Sequence, residues 1–214
     1  MKNFEMYKTK RIFLLKMKCK ETNVKIDLSL DNYFPVIKSN YLRKICEKDQ
    51  YFLYLTRYVQ HWAQSKKIND ANFSTFNSYS LLLLSLFYFQ KTRNLESVKS
   101  FLGKESNMIS ICDLEKQIQP IFFRSEKARL EENILQETIS GFFHFYSNFD
   151  FASSVISPFD SAIYPKSEWE LSNEKLFIAI EDPFESSNVA RAITHETFNK
   201  IKREIEKESL RLKN

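Results

Sequence analysis

KINDANFSTFNSYSLLLLSLFYFQ, residues 67–90, decides the architecture. Its first half, through Asn77, is polar and reads as a loop. Its second half holds an apolar run, residues 79–89, broken only by Ser80 and Ser85. A membrane-spanning helix needs about 20 such residues. The run therefore predicts a short helix over residues 78–92, apolar on every side and buried on every side. Such a helix needs partners all around it, and the flanking sequence supplies them.

Upstream, Asp49 reads as the cap of a helix to about residue 67, with Phe52, Leu55, Val59 and Trp62 as its apolar stripe. Residues 11–19 and 24–30 read as strands. The second alternates, with Val24, Ile26, Leu28 and Leu30 on one face and Lys25, Asp27 and Ser29 on the other. Downstream, Asn94 opens a short helix that stops near Gly103, and Asp113 caps a single turn before Pro120. Residues 126–147 form a long helix carrying Leu130, Ile134, Leu135, Ile139 and Phe143. Val155, Ile156 and residues 176–180 are short extended pieces. A last helix runs from about Asn188 to Lys213, its charges interleaved as on a solvated face. The expected fold is α+β: two strands followed by a helical body. Its expected core is Phe52, Leu55, Trp62, Leu82, Leu83, Leu86, Phe87, Phe142 and Phe143.

The composition excludes several classes. Hydrophobic residues make 43% and charged residues 28% of the chain, an ordinary globular balance that rules out a disordered tail or a collagen-like fibre. Only 2 glycines are present, so few tight turns, no phosphate-cradling glycine loop and long helices are expected. The formal charge is +5, and residues 1–26 alone hold eight lysines and arginines against two glutamates. That local excess suits an RNA-facing edge and equally a strand edge blunted by lysines. Cys19, Cys46 and Cys112 show no metal or redox spacing and fit a reducing, cytoplasmic compartment. The charged start is no secretory signal, and no membrane partner is expected. His61, His144 and His195 stand far apart, outside any zinc-protease spacing. Spacing alone stops there, at a helical domain of unstated function.

Longer strings go further. Trp62-Ala63, the loop Ile68 to Ala71, Ser78-Tyr79-Ser80 and the closing Phe89-Gln90 together resemble the cytoplasmic poly(A) polymerases, the germline type in particular. IEDPFESSNVARAI, residues 180–193, is similar to the signature of that family's poly(A)-polymerase-associated domain. SGFFHFYSNFDF, residues 140–151, resembles the segment that precedes it. The likeness runs from about residue 11 to the C-terminus. It implies a partial nucleotidyltransferase palm over residues 1–47, with a truncated β-sheet. It further implies a helical central domain over 48–214, whose associated segment covers about 137–193.

The resemblance implies nucleotide addition to RNA 3′ ends, with ATP and Mg²⁺ or Mn²⁺. In the family, three palm carboxylates hold two metals, which activate the attacking oxygen and stabilise the leaving pyrophosphate. Ile26-Asp27-Leu28 matches the strand of the third carboxylate, so Asp27 is the catalytic and metal candidate; otherwise it is an exposed strand-edge Asp. Ser78 matches a phosphate contact and Tyr79 a base platform, or simply the first apolar residue of a buried helix. Asp182 and Glu185 match carboxylates near the base edge, with Asn188 and Arg191 following, or else they cap a helix start. The family's ribose-contacting pair falls on Lys38 and Ser39.

Departures from the pattern are specific. No Asp-x-Asp pair occurs and neither Gly precedes a Ser, so the chain by itself is expected not to catalyse. Two family lysines that face the triphosphate are replaced by Gln60 and Gln64, one helical turn apart. Glutamine donates hydrogen bonds but brings no charge to a polyanion. Those changes, with Lys38, open a second reading, a degenerate pseudo-polymerase that binds protein or RNA. Uridine-adding relatives tend to carry an extra His after the Glu185 position. Ser186-Ser187-Asn188 has none, which leans toward adenine. The implied partners are an RNA 3′ end and a recruiting RNA-binding protein.

Overall fold

A computed structural model describes residues 5–8, 13–30, 32–105, 130–169, 176–185 and 187–213. The chain divides into two units, residues 1–43 and 44–214.

In the first unit, β1 (Glu5–Lys8), β2 (Phe13–Lys18) and β3 (Lys25–Leu30) form an antiparallel sheet in the order β1-β2-β3. Two strands were expected and three are present, because the first is too short and too polar to alternate visibly. The register sets Lys16 opposite Asp27 and Leu15 opposite Leu28. Val24, Ile26, Leu28 and Leu30 do share a face, but it is open: Val24 is 55% and Leu30 58% exposed. Period-two alternation fixes which residues share a face and says nothing of whether a layer covers it. The helix α1 (Phe34–Lys48) follows. It adds a helix to the sequence expectation; Pro35 suits a first helical turn, and Ile37, Tyr41 and Ile45 recur at helical spacing. The first unit ends within this helix, at Arg43, and Lys44, in the second unit, lies over the Phe101 ring, 5.2 Å from its centroid.

The second unit is built around two antiparallel helices. Asp49 accepts from the amides of Tyr51 (2.8 Å) and Phe52 (3.2 Å) and starts α2 (Gln50–Ser65). A loop leads to α3 (Ser78–Thr92), capped by Asn77. The helix is buried nearly all round; Leu82 alone of the expected core is half-buried. Ser85 returns its hydroxyl to the Leu81 carbonyl, and Gln90 donates to the Pro158 carbonyl at 2.9 Å, while the Gln90 Oε1 is buried without a hydrogen-bond partner among the described residues. The helix α4 (Val98–Glu105) begins after Ser97, whose hydroxyl accepts from the Ser100 amide at 3.1 Å. Asn94 instead takes φ 51°, a turn conformation, and Gly103 lies within the helix. The Asp113 turn and residues 126–129 of the expected long helix lie outside the described residues. The helix α5 (Glu132–Ser147) starts later than read, Leu130 being non-helical.

Aromatic rings join α2, α3 and α5. Trp62 meets Phe143 edge-on at 4.7 Å, Phe52 meets Phe89 at 5.3 Å, and Tyr88 meets Phe142 at 5.7 Å. Each such pair adds about 0.5–1.5 kcal/mol beyond the area it buries. The Tyr146 hydroxyl reaches the Leu84 carbonyl at 2.7 Å, which gives this fully buried phenol a partner. A small sheet follows, β4 (Ser154–Ser157), β5 (Ala162–Pro165) and β6 (Ala179–Ile180), in the order β5-β4-β6, with β4 parallel to β6. The strand β5, four residues long, is too short to show a period in the sequence. The last helix, α6 (His195–Arg211), starts at a capping box of Thr194 and Thr197, not at Asn188.

Turns are made without glycine. Asn23, Lys67, Ser74, Asn94 and Ser161 adopt positive φ, a region that Asn tolerates through its short polar side chain. The glycine count therefore understated the number of tight turns.

Candidate functional site

The loop that joins α2 to α3 is shaped by its own side chains. Asp70 accepts from the Asn72 amide at 2.9 Å and starts a 3₁₀ turn, Ala71–Phe73, while Thr75 bridges the Asp70 amide and carbonyl. Ile68 is fully buried beneath it. Asn69 and Ser78 face each other across the loop at 3.4 Å. Because α2 and α3 run in opposite directions, the end of α2 and the start of α3 lie together. Gln64, Ser78 and Tyr79 are thus gathered at one end of the helix pair. Ser78 is exposed and Tyr79 half-buried.

The second strand of the site arrives from more than 100 positions away. The Tyr79 hydroxyl donates to Asp182 at 3.3 Å. Asp182 is 5% exposed and its carboxylate also accepts from the Phe184 amide at 3.0 Å, which closes the turn through Pro183. Residues 181–185 and 187–194 are irregular, so the acidic pair is no helix cap. Asn188, expected at the nucleotide, is buried and works as a brace: its oxygen accepts from Ile180 (3.1 Å) and Ala190 (2.9 Å), and its nitrogen donates to Ile178 (2.9 Å). An amide engaged at both ends inside a loop shapes the loop rather than a ligand. Glu185 is half-buried and Arg191 exposed on the same loop.

Two further residues belong to this loop's surroundings. Glu181 is half-buried; burial pushes its carboxyl above the ordinary value, the Asp160 and Asp182 charges add to the rise, and a Ser157 bond opposes it. Asn77 donates to the Val189 carbonyl at 3.0 Å. The only sequence signal for Asn77 was its place before a helix, which marks a cap and not a long-range contact.

On α2, Gln60 is half-buried and Gln64 exposed, one turn apart. A different face of the same helix meets α6. There Tyr58 donates to Glu208 at 2.7 Å and Arg211 grips the same carboxylate, with a cavity of about 210 Å³ beside them. Burial pushes the Tyr58 phenol up to about 12, the Glu208 bond and charge adding to it. This network clasps two helices together.

In the first unit, Asp27 is exposed on β3 with Lys16 opposite it. On α1, Lys38 is half-buried with its amine 5.9 Å from the Phe34 ring, and Ser39 is exposed. Among the described residues no group of three His, Cys, Asp or Glu side chains is placed to hold a metal ion. A lone exposed carboxylate does not fit a two-metal centre.

Known proteins resemble this chain in the same places. Residues 135–188 match the model of the Cid1 family poly A polymerases. Protein HESO1 of Arabidopsis thaliana is 27% identical over 89% of this chain and 40% of its own length. Poly(A) RNA polymerase GLD2 of Homo sapiens is 29% identical over 95% of this chain and 42% of its own. The chain thus spans less than half of these relatives. A solved Cid1 poly(U) polymerase, bound to Mg and 3′-dATP, superimposes on all of this chain with a TM-score of 0.76 at 20% identity, covering 67% of the Cid1 chain. The fold is therefore that of these nucleotidyltransferases, and the likeness to the Cid1-type poly(A) polymerases includes the PAP-associated segment over residues 135–188.

Proposed function

We propose that this chain is the nucleotide-selecting portion of an RNA 3′-end adenylyltransferase. In this reading Tyr79 is the base platform, Ser78 a phosphate contact, and Asp182 and Glu185 read the base edge. The observation that carries it is the Tyr79–Asp182 hydrogen bond, which joins an aromatic face to an acidic loop 103 positions away. Carboxylates accept hydrogen bonds, and adenine presents an N6 amino donor where uracil presents an O4 acceptor. His195, the histidine nearest in sequence, starts α6 beside Phe177, their rings 5.6 Å apart, and leaves this preference in place. Arg191 stands exposed at the loop's end as a further nucleotide contact, and Lys38 and Ser39 are the ribose candidates of the first unit. Messenger RNA is the proposed acceptor, brought by an RNA-binding partner in the cytoplasm.

Asp27 is the proposed third metal-site carboxylate, supplied with Mg²⁺ or Mn²⁺ only where further carboxylates join it. Gln60 and Gln64 favour a second reading, a pseudo-polymerase that has kept its fold as a binding module. Without charge on that face of α2, the helix itself offers the polyphosphate of ATP only neutral donors.

Titration calorimetry of the 214-residue chain with ATP and UTP, each with Mg²⁺, decides between them. Micromolar ATP binding with weaker UTP binding is the expected result. Absence of binding by either nucleotide overturns the nucleotide-site reading and leaves the binding module.

A further inference from the structure

The loop that holds Asp182 and Glu185 shows, among its described residues 181–185 and 187–194, no regular structure beyond the bridge between Glu181 and Asn188. Irregular segments keep one shape only where side chains brace them. Two sets of braces are present, with different effects. The internal set gives the loop its shape: Asn188 spans from Ile178 to Ala190, and the Asp182 amide donates to the Ser187 carbonyl at 2.9 Å. The external set places that shape against α3. Asn77 Nδ2 donates to the Val189 carbonyl at 3.0 Å, and the Ser80 hydroxyl lies 3.0 Å from the same oxygen.

Asn77 uses the two ends of its amide differently. Its oxygen accepts from the Ser80 amide at 2.7 Å and so starts α3. Its nitrogen reaches out of the helix to the loop. Aspartate caps a helix as well as asparagine does, but an ionised carboxylate has no proton for Val189. The Ser80 hydroxyl has one proton and two acceptors in reach, Asn77 Oδ1 and the Val189 carbonyl, both at 3.0 Å. Asn77 Oδ1 already accepts from the Ser80 amide, which leaves Val189 as the better use of that proton. Ser80 is fully buried, so water does not compete for it. Tyr79 lies between these two residues in the chain. The grip on Val189 is therefore applied beside the ring whose distance from Asp182 matters.

We propose that Asn77 and Ser80 are positioning residues for base selection, holding the acidic loop at a fixed height against Tyr79 through the Val189 carbonyl. This rests on the nucleotide-site reading above and extends it to residues that touch no nucleotide. The reason is geometric. A hydrogen bond weakens steeply as its distance and angle depart from ideal. Discrimination between two base edges depends on acceptors that meet one edge and miss the other. A loop free to shift against the platform keeps its affinity for any stacked base and loses the difference.

The test uses the full chain and the variants Asn77→Asp, Ser80→Ala and the two combined. Three quantities are read: the ATP-to-UTP affinity ratio with Mg²⁺, amide hydrogen exchange, and the thermal midpoint. The expected result for the double variant is an ATP preference reduced about tenfold, the equivalent of roughly one well-made hydrogen bond. Faster exchange over residues 181–190, with α2 and α5 as protected as in wild type, is expected alongside it. An unchanged ratio with wild-type binding intact overturns the proposal alone. Faster exchange throughout α2, α3 and α5 also overturns it, because the residues then serve the fold in general. If wild type binds neither nucleotide, the site reading fails and the proposal falls with it. Should the double variant not fold, Asn77→Asp alone decides by the same ratio, since its helix cap is intact.

Discussion

The Tyr79 phenol and the Asp182 carboxylate, 103 positions apart in the chain, are joined by a hydrogen bond of 3.3 Å. The same carboxylate oxygen accepts from the Phe184 amide at 3.0 Å, so one atom closes the acidic turn and ties it to the start of α3. The aromatic ring and the turn are thereby held side by side. The family resemblance of their strings implies one shared base, but neither local pattern shows the direct bond.

This contact separates two roles of Tyr79. Tyr79→Phe removes the hydrogen bond and keeps the ring. It is expected to lower stability by about 1 kcal/mol while leaving ATP affinity within about threefold, a change of under 1 kcal/mol. Tyr79→Ala also removes the platform, and stacking of a base on an aromatic face is worth about 1–3 kcal/mol. Calorimetry should therefore show a loss of tenfold or more, a figure of about 1.4 kcal/mol. Wild-type affinity in Tyr79→Ala would remove the ring from the site.

Restoring charge on α2 tests the polyphosphate face. The double variant Gln60→Lys and Gln64→Lys places two ammonium groups one turn apart on the helix. ATP affinity is expected to rise about tenfold at low salt and to lose much of that gain at about 1 M salt, where the screening length is near 3 Å. AMP affinity should barely change. Equal gains for AMP and ATP would show that this face does not meet the polyphosphate.

The two glycines should answer to alanine in opposite ways. A Cβ on Gly141 would overlap the Tyr88 hydroxyl, and Tyr88 is itself held by Phe142, Phe145 and Phe89. Gly141→Ala is expected to cost about 1–3 kcal/mol through overpacking between α3 and α5. A Cβ on Gly103 meets nothing within 4 Å. Gly103→Ala in α4 should stabilise by up to about 1 kcal/mol, the helix-propensity difference. Urea melts of both variants measure the contrast, and a stabilised Gly141→Ala would contradict the packing described.

Two glutamates predict opposite pH dependences. At Glu208 burial raises the carboxyl, but the bonds from Arg211 and Tyr58 outweigh it and hold it below the ordinary 4.5. A depressed carboxyl contributes stability that is present above the unfolded value and lost as pH falls through the folded one. Glu208→Gln should lower stability at neutral pH by about 1–3 kcal/mol and flatten the acid limb. Glu181 is shifted upward, by burial first. Its contribution is present below 4.5 and lost as pH rises through the folded value. Glu181→Gln should therefore raise stability at neutral pH and change little in acid. Chemical melts across the range from about pH 3 to 8 read both signs.

Local periodicity and capping were legible. The helix over 78–92 is present with the expected bounds, because an all-apolar run of that length has few other uses. Asp49 caps α2 as read, and Phe52, Leu55, Val59 and Trp62 are all buried. The start of α6 was misread because acidic residues near Asn188 imitate a helix start, while the true cap, Thr194 with Thr197, is a weaker pattern. The strands β1 and β5, four residues each, are too short to show a period. Asn188 was read as a ligand contact from its place in a motif, yet its amide is spent on Ile178, Ile180 and Ala190.

The sequence by itself determined the helical body, its buried centre and the family strings, because these depend on spacing within one or two turns of chain. Tertiary structure alone decided that the Val189 carbonyl meets Asn77 and Ser80, that Asp182 meets Tyr79, and that the apolar face of β3 lies open. The physical reason is that a long-range hydrogen bond is specified by two surfaces at once. Neither residue's local pattern carries the identity of its partner until packing of the helices and the small sheet brings the two together.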